Sequence, residues 1–91
     1  MRVYKVILTG QKEAGRSHHR TDWIDLHEEI HRIEAAGGAE AVVKARNLVG
    51  WINIWLSRSK KRVVLHSIYN PAGKCIWSRS GLSSLKASHL D

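Results

Sequence analysis

Asn70-Pro71-Ala72-Gly73 is the strongest local instruction in the chain. Proline presets the backbone at the second position of a type I turn and glycine relieves its exit, so the flanking segments must double back on each other. Those segments, Arg62–Asn70 and Lys74–Arg79, carry Val, Ile, Tyr and Trp and read as two strands of a hairpin. A polar break, Arg58-Ser59-Lys60-Lys61, precedes them. The apolar run before it, Leu48–Ser57, reads as the first strand of the same three-stranded antiparallel meander.

The amino-terminal half has a different texture. Residues 2–9 mix Val, Tyr and Ile with Arg and Lys in near alternation and stop at Gly10, which predicts a strand. Residues 10–20 have no apolar periodicity and read as a polar loop. After Thr21 and Asp22, both acceptable helix caps, Trp23, Leu26, Ile30 and Ile33 recur at spacings of three and four, predicting a helix to about Ala36. Gly37-Gly38 would end it, and 39–47 reads as a second short helix beside or continuing the first. The expected fold is α+β: a strand, one or two helices, then the meander, with the helices on one face of the sheet. A chain of 91 residues supports one core, so 1–91 is read as a single small domain with a polar tail over 80–91.

Pairing the meander across its two turns sorts its side chains. Gly50, Ile52, Ile54, Leu56, Val63, Leu65, Ser67, Tyr69, Cys75, Trp77 and Arg79 share one face, mostly aliphatic, which suits packing under helices. Trp51, Asn53, Trp55, Arg62, Val64, His66, Ile68, Lys74, Ile76 and Ser78 share the other, which no predicted helix covers. A slip of one residue would exchange the faces.

Charge is partitioned along the chain. Residues 1–47 hold 8 basic and 7 acidic side chains, whereas 48–91 hold 7 basic ones and Asp91 alone as an acid. Such asymmetry favours polyanions or acidic protein surfaces as partners. Indoles set among cations are what single-stranded nucleic-acid binders present, since bases stack on rings while Lys and Arg follow phosphates. The sequence therefore points to RNA or single-stranded DNA engaged by Trp51, Trp55, Arg58, Lys60, Lys61, Arg62, His66 and Lys74. The alternative is a protein-binding module or small inhibitor docked on an acidic or nucleic-acid-binding partner, and a homodimer seam would use the same residue types.

His27-Glu28-Glu29-Ile30-His31 matches H-E-x-x-H, which on a helix would set His27 and His31 one turn apart as zinc ligands with Glu28 polarising water. No third ligand follows at the expected place, and charged Glu29 and Arg32 suggest a solvated helix, so the two histidines are weak metal candidates. Two helices ahead of a β-meander, over about residues 2–79, resemble the RelE/ParE-like toxins in element order. That topological resemblance implies a metal-independent ribonuclease, with His66 and Arg62, Lys74 or Tyr69 available for acid/base and phosphate-stabilising roles. Cys75 cannot form an internal disulfide and reads as packing, which suits a reducing compartment. The longest apolar stretch, Leu48 to Leu56, is broken by Gly50 and Asn53 and is too short to span a bilayer. A cytoplasmic binding protein with no catalytic residue, no cofactor and no membrane association is expected.

Overall fold

The computed structural model describes residues 1–16 and 20–79. In chain order these form β1 (Arg2–Arg16), β2 (Thr21–Ala35), α1 (Gly38–Leu56), β3 (Lys61–Tyr69) and β4 (Cys75–Ser78). The strands make one antiparallel sheet in the order β2-β1-β3-β4, and α1 packs across one face. The α+β class stands, with four strands and one helix. No helix among the described residues is long and apolar enough to cross a membrane.

β1 is the middle of the core because Tyr4, Val6 and Leu8 alternate onto the helix-covered face. Val63 and Leu65 of β3 join them. At His66 the register slips by one residue, since Ile7 faces Ser67 while Leu8 faces Leu65. That bulge turns Ile68, rather than Ser67, toward the helix, and Ile68 is fully buried. Ala41 and Ala45, one turn apart, are the fully buried helical residues, and their small side chains let α1 lie close to the sheet. Burying each of Val6, Leu8 and Ile68 is worth about 1.5–3 kcal/mol.

Three expected elements are different. The polar loop at 10–20 is strand through Arg16, because β1 continues as one arm of a long hairpin whose partner begins at Thr21. The helix expected over Thr21–Ala36 is strand β2. Its three-and-four spacing of apolar residues has no buried counterpart, and pairing with β1 over Arg2–Arg16 outweighs the pattern. Gly37-Gly38 opens a helix instead of closing one: Gly37 is extended at the cap, and α1 then runs unbroken through both the expected short helix and the expected Leu48–Ser57 strand. Short apolar runs do not distinguish strand from helix by period, and this one takes the helical solution.

The hairpin after it forms as the turn chemistry requires. Gly73 N–H donates to the Asn70 carbonyl at 2.9 Å, Asn70 N–H to the Lys74 carbonyl at 2.9 Å, and Lys74 N–H to Asn70 Oδ1 at 2.8 Å. Gly73 has φ of 86°, where a side chain would be strained. Ser67 and Trp77, expected on one face, are not partners: Ser67 faces Ser78 and Ile68 faces Trp77, with the shift absorbed before Tyr69. The two-helix order that resembles the RelE/ParE-like toxins is absent among the described residues. The expected tail over 80–91, like residues 17–19 of the expected polar loop, lies outside them.

Candidate nucleic-acid interface

Trp51 and Trp55 are not on a sheet face, since the segment that carries them is helical. They lie one turn apart on the outer side of α1, where they are 65% and 83% exposed, with Ile54 beside them. The side of α1 turned to the sheet carries Ala41, Ala45, Leu48, Ile52 and Leu56, so the helix is apolar on both sides. Its far end is held by an amide clamp. Asn53 Nδ2 donates to the Val63 carbonyl at 3.0 Å, and Val63 N–H donates to Asn53 Oδ1 at 2.8 Å. β4 pairs only with Ser67–Tyr69, so Asn53 occupies both main-chain groups of Val63 where that strand does not reach.

Cations follow the indoles directly. Ser59 N–H and Oγ both donate to the Leu56 carbonyl, at 2.9 and 2.7 Å, closing the helix. Lys60 then adopts a left-handed φ of 58°, and its carbonyl accepts from Glu13 N–H at 2.8 Å. Lys61 enters β3 directly opposite Lys12 of β1. Like charges in that position repel, a cost a bound anion would remove. Arg58, Lys60 and Lys61 also lie where the helix dipole is negative, which favours them there. Among the described residues, Lys12, Arg58, Lys60 and Lys61 are all exposed and none is in an ion pair. On the other flank of α1, a groove of about 370 Å³ is bordered by Arg46, Asn53, Trp77 and Arg79.

The other expected residues do not join this cluster. Arg62 points to the uncovered sheet face, where its guanidinium lies 4.1 Å over the Trp23 ring and its Nε donates to Gln11 Oε1 at 2.8 Å. Gln11 Nε2 in turn donates to Asp25 Oδ1 at 2.6 Å, which completes a polar row across β3, β1 and β2. His66 is on that same face, 2.9 Å from Ser67 Oγ and 3.9 Å from Glu28. Lys74 directly follows the Asn70–Gly73 turn, at the opposite end of β3. Tyr69 is near that end with Lys5 Nζ 5.0 Å from its ring, so the groups named for a ribonuclease are dispersed. Lys12 and Arg79 were missed because only strand pairing brings them near α1, and Arg46 because the helix over 39–47 and the indole segment after it read as two separate elements where the fold has one.

The H-E-x-x-H segment is in β2, where successive side chains alternate between faces. His27 and His31 share the helix-side face, and Glu28 points away from both, so it cannot polarise water on a metal held between them. Glu29 is between them instead, its two oxygens 3.0 Å from His27 Nε2 and 3.1 Å from His31 Nε2. The hydrogen bond with His31, then that with His27, holds the Glu29 carboxyl below its ordinary range against the opposing effect of burial. Among the described residues no group of three or more His, Cys, Asp or Glu is placed to hold a metal ion.

Comparison with protein-family models, with curated proteins and with solved structures finds no match for this chain.

Proposed function

We propose that the protein binds RNA or single-stranded DNA at the carboxy-terminal end of α1, with Trp51 and Trp55 stacking on bases and Arg58, Lys60, Lys61 and Lys12 along the phosphates. The observation that carries this reading is the pair of exposed indoles one turn apart, continuing into cations that form no ion pair among the described residues. Stacking is worth about 1–3 kcal/mol per base, more than a screened surface charge supplies, so the indoles would dominate affinity and the cations its salt dependence.

Binding of labelled single-stranded oligonucleotides across a salt series tests the proposal. Four phosphate contacts would give a log–log slope of roughly −3, and Lys60→Ala would make it shallower by about 0.7. Trp55→Ala is expected to weaken binding at least about fivefold with the slope unchanged. No binding at low salt, or binding indifferent to both Trp51→Ala and Trp55→Ala, overturns it. A second reading, docking on an acidic protein surface, is favoured by exposed Ile54 within the aromatic patch, since an aliphatic side chain serves a protein contact better than base stacking. Ile54→Ser separates the two: it would spare oligonucleotide binding and weaken a protein contact.

A further inference from the structure

β2 is an edge strand of 15 residues, and among the described residues no strand pairs with its outer side. Such an edge presents unpaired N–H and C=O groups ready to accept another strand. Its open stretch has natural limits. A bulge falls at Leu26, where Gly10 pairs with His27 and Gln11 with Asp25. At the other end, Lys44 Nζ already donates to the Glu34 carbonyl at 2.7 Å. Between these limits run residues 27–33, with Ile30 at their centre and 58% exposed.

We infer that this edge pairs with the same edge of a second copy, antiparallel and centred on Ile30, joining two sheets into one of eight strands. A two-fold axis normal to the sheet must pass between a residue and its own copy, which leaves few registers. Centring on Glu28, Glu29, His31 or Arg32 sets identical ionisable groups against each other at the axis. Centring on Ile30 sets two exposed aliphatic side chains there. The same register places Glu28 opposite Arg32 twice and Glu29 opposite His31 twice, and each pair shares a face, as cross-strand partners must.

Arg32 supplies an independent reason. Within one chain it pairs across the ladder with Lys5, a like charge, and among the described residues no carboxylate forms an ion pair with it. The second copy would bring Glu28 to it on the same face. Both helices then lie on one side of the joined sheet, and the inference rests on the β2 edge alone, so it does not depend on the nucleic-acid reading.

Sedimentation equilibrium of the full chain, without nucleic acid, tests the assembly, with circular dichroism confirming that each variant is folded. The expected result is a dimer that Arg32→Glu weakens at least about tenfold, because it opposes Glu28 with a second carboxylate. Glu28→Arg is expected to weaken it similarly, and the double variant Glu28→Arg with Arg32→Glu to restore it, since the exchanged charges again attract. Ile30→Lys, which sets two cations at the axis, should give a monomer. A wild-type chain that remains monomeric up to its solubility limit overturns the inference. So does a dimer indifferent to these changes but dissociated by Ile54→Glu, which would place the contact on α1.

Discussion

β2 and β3 are both antiparallel partners of β1, yet they are held to it by different forces. β3 sends Val63, Leu65 and Ile68 into the core under α1, whereas of β2 only Ala35, its last residue, is buried. β2 relies on its main-chain ladder and on polar side chains: Asp25 with Gln11, Glu29 with two histidines, and Trp23 beneath Arg62. The two strands thus show that similar pairing can rest on apolar burial on one side and on solvated hydrogen bonds on the other. Their responses to substitution and to pH should differ accordingly.

The largest difference is expected from truncation. Ile68→Ala removes a fully buried side chain and should cost about 2–5 kcal/mol, while Ile30→Ala, on the exposed edge, should cost under about 0.5 kcal/mol when measured on the monomer by urea denaturation. Equal losses would erase the contrast. Next is Asn53→Ala, which strips both main-chain groups of Val63 of their partners and should cost about 1–3 kcal/mol, with faster amide exchange at Val63 and little change in β2. The smallest effect belongs to Glu29. Because its carboxyl titrates lower in the folded chain than in the unfolded one, its contribution is present above the ordinary value near 4.5 and is lost as pH falls through the folded value. Glu29→Gln should therefore lower stability near neutral pH by less than about 1 kcal/mol, the side chain being a third exposed, and the gap to wild type should close on acidification. A gap that widened on acidification would contradict the two hydrogen bonds assigned to Glu29.

The same contrast explains which parts of the fold were legible in the sequence. The Asn70–Gly73 turn and the strands around it could be read because the information is local: a proline, a glycine in the left-handed region and alternating apolar residues. β2 could not, because neither of its faces is uniformly buried and it therefore lacks a two-residue apolar period. The spacing of Trp23, Leu26, Ile30 and Ile33 imitates a helix without forming one. The helix over Leu48–Leu56 was hidden for the opposite reason, since apolar residues on both its sides remove the stripe that would reveal it. The indole pair was anticipated as an exposed surface, but on a strand. His27 and His31 show the ambiguity most simply: a spacing of four puts two side chains on one face of either a helix or a strand, so only the side taken by Glu28 tells the two apart.

The carboxamide of Asn53 occupies a place that a longer β4 would otherwise take. β4 stops at Ser78, and beyond it the Arg79 N–H still reaches the His66 carbonyl at 2.9 Å. Extending that strand toward Lys61 would evict Asn53 and lift away the helical end that displays both indoles. The length of the last strand and the presentation of the aromatic pair are thus competing outcomes at one seam, and a related chain that lengthened the first would be expected to surrender the second.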